Sequence, residues 1–151
     1  YFKRGDSNKA IEFMDQAIEL ETDDLKKAEY CFTTAQILFT TKQLSKAKNY
    51  ANKAISLNSN YGAPYILIGQ MYASSNKWSE EPAMNKCTYF AAIDKFQRAK
   101  AVDPSVAEEA NKLIATYSAY TPKAEDLFFI GLKKGDSVNI GGWINETTTI
   151  R

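Results

Sequence analysis

The sequence has 151 residues, of which 44% are hydrophobic and 25% charged, so it suits one compact domain or a short array of repeats with a continuous core, and not a disordered chain. Its 19 basic and 18 acidic residues leave a net charge of +1, and its basic runs are no longer than two residues, as at Lys26-Lys27 and Lys133-Lys134. The gathered basic surface that phosphate neutralisation needs is missing, so no nucleic-acid partner is expected.

The first residues, Tyr1-Phe2-Lys3-Arg4-Gly5-Asp6, have neither an initiating Met nor the pattern of a signal peptide. They read as the middle of a repeat, so the chain is expected to start inside a longer protein. Apolar spacing predicts helices near 7–21, 24–41, 43–57, 61–75, 83–102, 104–119 and 123–131. Ser79, with Pro82 just inside the following run, reads as the start of the fifth. No apolar run approaches the ~20 residues of a membrane-spanning helix. After Thr121-Pro122 the helical pattern weakens, Gly135-Asp136 signals a turn, and Val138, Ile140, Trp143 and Ile144 lie in a strand-like stretch interrupted by Gly141-Gly142. Residues 123–145 are expected to fold back over Leu113, Ile114 and Tyr117, with Trp143 largely buried and Thr147 to Arg151 frayed or offered as a strand edge.

The chain is self-similar. Gln16-Ala17-Ile18-Glu19-Leu20, Lys53-Ala54-Ile55-Ser56-Leu57 and Arg98-Ala99-Lys100-Ala101-Val102 share a pattern, and Ala10, Ala47 and Ala92 each lie seven residues before its alanine. Met14, Ala51 or Phe96 sits between the two alanines of each unit. Small residues at this spacing let two helices approach closely while the apolar residue between them fills the groove. Upstream, the segment from Ala28 aligns with the segment from Gly62 at an offset of 34 residues, which places Ala35 and Gly69 on one site. Ala35, Ala47, Ala54, Gly69, Ala92 and Ala99 are therefore the expected close-packing positions.

A period of 34 residues is that of the tetratricopeptide repeat. Tyr1-Phe2-Lys3-Arg4-Gly5-Asp6, followed by Lys9-Ala10-Ile11-Glu12, resembles the turn and second helix of that repeat; Tyr65, Ile68, Gly69 and Tyr72 resemble its first-helix series; Ala92, Phe96, Ala99 and Pro104 resemble its second. The resemblance implies an all-α, right-handed superhelix of antiparallel helix pairs over residues 1–122. This divides into a half repeat (1–24), a repeat (25–61), a repeat with an insertion (62–104) and a final helix (105–122), followed by a capping helix and extended β-prone tail (123–151). Ala17 to Ala54 is 37 residues, three more than the period, and Ala54 to Ala99 is 45, an insertion of 11 between Tyr72 and Ala92. The tail is similar to the C-terminal ends of some bacterial tetratricopeptide proteins, and the reading leans to a cell-envelope location over the cytoplasm.

Chemistry is sparse. The chain has no histidine, which removes Ser-His-Asp and Cys-His nucleophile pairs and histidine metal sites. Its seven glycines form neither a phosphate loop nor a dinucleotide fingerprint, and the adjacent acidic pairs Asp23-Asp24, Glu80-Glu81 and Glu108-Glu109 read as helix-start charges. Cys31 and Cys87 fit no metal or redox spacing, and Cys31 is expected to be buried. No catalytic residue, cofactor or metal is expected.

What remains is surface. In stacked tetratricopeptide units the first helices line a concave groove, and the resemblance assigns it Glu29, Phe32, Gln36 and Phe39 from one unit, Ala63, Ile66 and Gln70 from the next, and Glu108, Asn111 and Lys112 from the final helix. Phe32, Phe39 and Ile66 have a second reading, as core residues packed under the insertion or against upstream units. Phe32, Gln36 and Leu67 stand where carboxylate-clamp members carry polar or charged side chains, so that subtype is rejected. The expected function is a non-catalytic scaffold that holds a peptide or partner helix in the groove. The alternatives are the structural end of a longer solenoid, and carbohydrate or small-molecule handling through Trp78, Tyr89 and the inserted loop.

Overall fold

The computed structural model describes residues 4–151. Tyr1, Phe2 and Lys3, read above as part of a turn, lie outside the described residues. Arg4, Gly5 and Asp6, also read as that turn, instead open helix α1 (Arg4–Leu20).

Helix α2 (Asp24–Thr40) starts where the side chain of Asp23 accepts from the Leu25 N–H at 3.0 Å, satisfying one of the orphan donors of the first turn. It ends in a Schellman motif: Gln43 N–H donates to Leu38 O and Lys42 N–H to Phe39 O, with Lys42 at φ 60°. That left-handed backbone costs a side-chain-bearing residue roughly 1–2 kcal/mol, which glycine avoids. Lys42→Gly is accordingly expected to stabilise the protein by ~0.5–1 kcal/mol, read as a higher urea midpoint at constant slope. A lower midpoint would show that the lysine side chain contributes more than its strain costs. A second Schellman motif ends helix α8 (Ala124–Phe129), where Gly131 takes the left-handed position and Leu132 N–H donates to Leu127 O.

Helices α3 (Leu44–Leu57), α4 (Ala63–Ala73), α6 (Thr88–Val102) and α7 (Ala107–Ser118) complete the stack. Helix α2 pairs with α3 and α4 with α6, while α1 packs on α2, α3 on α4 and α7 on α6. Helix α4 is the central element, with Pro64, Ile66, Leu67, Ile68, Gly69, Met71, Tyr72 and Ala73 all buried. A helix with most of its circumference buried, here all but Ala63, Tyr65 and Gln70, shows no clear amphipathic stripe in its sequence.

The crossings are made by small residues. Ala35, Ala47, Ala54, Ala92 and Ala99 are fully buried, and Gly69 lies against the Phe96 ring so closely that a β-carbon there would sit 2.5 Å from Phe96 Cε1. Asp103 ties the units together at the far end. Its carboxylate accepts from Gly62 N–H at 2.9 Å and from Ser105 N–H at 3.1 Å, the latter capping the 3-10 turn Pro104–Val106.

The expected continuous helix over 83–102 is two helices. Helix α5 (Pro82–Lys86) is capped by the Glu81 side chain, not by Ser79, and Cys87 separates it from α6. Around Cys87 the backbone bonds tighten to three-residue spacing, Cys87 N–H to Met84 O and Phe90 N–H to Cys87 O, while the Cys87 thiol turns to Ala83 O. Short 3-10 stretches of this kind break the α-helical ladder and redirect the axis.

The tail also departs from expectation. Strands β1 (Ser137–Ile140) and β2 (Glu146–Thr149) form an antiparallel hairpin, with Val138 opposite Thr148 and Asn139 opposite Thr147. Thr147 to Arg151 does not fray: Thr148 and Ile150 are buried, and Ile150 N–H and O bond back to Asp136 and Gly135. Ile144, not Trp143, is the fully buried residue of the turn, and Trp143 is half-buried. Nor does the hairpin cover Leu113, Ile114 and Tyr117. It docks on α6, on Lys48 of α3 and on the end of α4, while Tyr117 stacks with Phe96 and Tyr89.

Candidate functional site

The residues assigned to a groove divide by exposure. Glu29, Gln36 and Asn111 are exposed, Phe32, Phe39 and Gln70 are half-buried, and Ile66 is 4% exposed within the core. Ile66 cannot offer its side chain to a partner without leaving that core, whereas Ala63, Tyr65 and Gln70 of the same helix stay partly exposed; its assignment to the groove is corrected to the core reading. Asn111 accepts from the Lys100 ammonium at 3.0 Å, so α6 already holds its amide. Glu108 and Lys112 form an exposed i,i+4 pair at 3.4 Å, a kind of contact worth ~0.3–0.5 kcal/mol.

Tyr61, in the loop before α4, was not singled out by periodicity and is the organising residue of this face. The Phe32 ring meets it edge-on, with centroids 5.4 Å apart and planes at 67°. Burial pushes the Tyr61 phenol upward, and the negative charges of Glu29 and Asp103 push it further in the same direction. Two carboxylates and an aromatic pair therefore share one patch where α2 meets the start of α4. The arrangement offers an apolar contact flanked by negative charge.

A second cluster binds the tail to the stack. Glu146, on β2, accepts from Lys95 Nζ at 2.8 Å and from the Tyr72 hydroxyl, with Lys48 Nζ at 3.9 Å. Lys48 also donates to Ile144 O at 2.8 Å and lies over the Tyr72 ring at 5.3 Å from its centroid. Burial alone would raise the Glu146 carboxyl, but hydrogen bonds from Lys95 and Tyr72 and the charges of Lys95 and Lys48 hold it below its ordinary value of 4.5. Burial, the bond to Glu146 and the Glu146 charge all raise the Tyr72 phenol above 10. Burial lowers the Lys48 ammonium, Glu146 offsets this in part, and Lys95 lowers it further.

The signs define a pH window. A carboxyl depressed on folding contributes stability that is present above its unfolded value and lost as pH falls through the folded one. A phenol raised on folding contributes below its unfolded value and loses that contribution as pH rises beyond it. The window thus opens at about pH 4.5, above which the Glu146 contribution is fully present, and closes on the alkaline side as Lys48, its ammonium lowered by burial, gives up its proton. Because the Glu146 side chain is one-third exposed, its pairing is worth ~1–2 kcal/mol and not the ~3–5 of a fully buried pair. The melting difference between wild type and Glu146→Gln is expected to be constant across that window and to shrink below pH 4.5; a difference that does not change with pH would refute the assignment.

The thiols are not a site. Cys31 and Cys87 are free and fully buried, and burial pushes both upward, Cys87 to about 11, so at neutral pH each is protonated and inaccessible. Among the described residues no group of three metal-ligating side chains converges, and no helix is long and apolar enough to cross a membrane.

Residues 1–24 and 28–61 match the family model of the tetratricopeptide repeat. No curated protein matches the chain. The matched residues contain α1 and the α2–α3 pair, and beyond them α4 and α6 repeat the same pairing, with Gly69 at the site of Ala35. Tetratricopeptide repeats generally mediate protein–protein interaction and are typically non-catalytic scaffolds. With their helix pairing, small-residue crossing and family-model match, residues 1–61 are tetratricopeptide repeats, and α4 with α6 continues the same packing.

Proposed function

We propose that the face formed by α2, the start of α4 and α7 holds a segment of a protein partner, and that this chain acts as a scaffold without catalysis of its own. The observation that carries the reading is the Phe32–Tyr61 pair, half-buried and edge-to-face beside the charges of Glu29 and Asp103. A partner segment with an apolar residue next to a Lys or Arg fits it, since aromatic surface supplies contact area and the carboxylates select the sign of charge. Gln36 and Gln70 lie along the same first helices and supply hydrogen bonds that fix register.

Selection of binders from a random peptide library tests this. Peptides pairing an apolar residue with a basic one are expected to be enriched, with amide shifts on binding centred on α2 and the 58–63 loop. The exposed changes Glu29→Lys and Gln36→Ala should weaken them by about tenfold, equivalent to ~1.4 kcal/mol, without altering the melt. Peptides unaffected by both changes would overturn the proposal.

A further inference from the structure

The tail and the insertion meet at a cleft beyond the C-terminal end of α4. It has a volume of about 480 Å³ and lies between residues 74–78 of the insertion and the hairpin turn 141–144. Its walls are the only two tryptophans in the chain, Trp78 and Trp143, both half-buried. Each indole is pinned at its nitrogen: Trp78 Nε1 donates to Thr88 Oγ1 at 2.9 Å, and Trp143 Nε1 donates to Ser75 Oγ at 3.1 Å. Trp78 lies so close on the hairpin backbone that a β-carbon on Gly141 would come within 3.1 Å of its ring, so the insertion and the hairpin pack directly on each other here. Ser74, Asn76 and Lys77 also line the cleft. Asn76 spends one N–H on the Tyr89 hydroxyl at 2.9 Å, which leaves its amide oxygen as an acceptor, and Lys77 is exposed with no ion pair among the described residues. Tyr89 itself stacks on Tyr117 with centroids 5.8 Å apart and is not a wall of the cleft.

We propose that this cleft binds a short oligosaccharide, with an acidic sugar facing Lys77. Rigid aromatic planes flanked by short hydroxyl, amide and ammonium groups match a pyranose, which has apolar C–H faces and a polar hydroxyl edge. The volume falls in the lower half of the ~300–1,000 Å³ range of ligand pockets, which suits a few sugar units and not a long chain. An extended proline-rich peptide also seeks aromatic grooves. Both indole N–H groups are committed to Thr88 and Ser75 and the Ser74 and Ser75 hydroxyls to Met71 O, which leaves the peptide's main-chain carbonyls the Lys77 ammonium and the second Asn76 N–H.

Because both tryptophans lie at the cleft, intrinsic tryptophan fluorescence reports this site alone. The chain is titrated with tetragalacturonate, cellotetraose, chitotetraose and a proline-rich peptide. A saturable change is expected with at least one saccharide, tightest for the acidic one. Lys77→Ala should weaken the acidic saccharide about tenfold, and Asn76→Ala should weaken every saccharide that binds, with melts confirming that both variants fold. Fluorescence flat to all three saccharides, or binding undiminished in both variants, would overturn the proposal. Saturable binding of the peptide in place of the saccharides would do the same and make the cleft a peptide groove.

Discussion

Removal of residues 123–151 is expected to lower the melting temperature by roughly 6–12 °C and to cause association at micromolar concentration. The hairpin and its lead-in bury Leu127, Val138, Ile140, Ile144 and Ile150, each 3% exposed or less, in the same core as α4 and α6. A fully buried aliphatic side chain is worth ~1.5–3 kcal/mol, and part of that sum is internal to the tail, so a net loss of ~3 kcal/mol or more is a conservative expectation. Deletion also uncovers Phe90, which lies under Arg151, and Tyr72, whose ring meets Trp143 at 5.4 Å. Differential scanning calorimetry and size-exclusion chromatography of the shortened chain check both effects. A truncated protein that stays monomeric with an unaltered melt would refute the stabilising role and make the tail a free segment. Glu146→Ala separates the causes, since it breaks the contacts of Lys48, Lys95 and Tyr72 while keeping the apolar residues in place.

The tail is also where the sequence is least legible. Helix pairs could be read because their signal is local: alanines seven residues apart and a period of 34 repeat the same packing geometry in each unit. The docking of the tail depends on Lys48, Tyr72, Lys95 and Asp94, which lie 51 to 98 residues along the sequence from their partners Glu146, Thr148 and Arg151 and meet them only in the folded state, and single polar residues at such separation leave no pattern. The apolar content of the tail announced that it must pack somewhere. It did not say that α6 and the insertion, and not α7, would receive it.

The first-helix face was legible in part for a related reason. Helical spacing placed Glu29, Phe32 and Gln36 on one side of α2, where exposure is uneven but real. Applied to α4, the same spacing assigned Ile66 outward, because a helix enclosed by α2, α3 and α6 has no polar stripe to mark its free side. Tyr61 escaped notice because it precedes the helix and belongs to no periodic series. The insertion could be sized from the excess over the repeat period, but its kink at Cys87 follows from local 3-10 bonding that the pattern of apolar residues does not encode.

Substitution at Gly69 is expected to be the most damaging single change in the helix stack. An ideal β-carbon at that position would sit 2.5 Å from Phe96 Cε1 and 2.9 Å from two further atoms of the ring, well inside van der Waals contact. The ring has little room to retreat, since Phe96 is fully buried and stacks against Tyr117 with centroids 5.9 Å apart and planes at 19°. Alanine gains ~1 kcal/mol of helix propensity over glycine, which offsets part of the clash, so Gly69→Ala should cost ~0.5–2 kcal/mol. Leucine adds three more carbons to the same crossing, and Gly69→Leu should cost ~3 kcal/mol or more, separating α4 from α6. Relief by a smaller partner identifies the cause. Phe96→Leu alone is destabilising, but combined with Gly69→Ala it should recover ~1 kcal/mol or more relative to the sum of the two single effects, as contacting residues do in a double-mutant cycle. Strict additivity, or a Gly69→Leu melt equal to wild type, would mean that the α4–α6 crossing is not where the repeat register puts it.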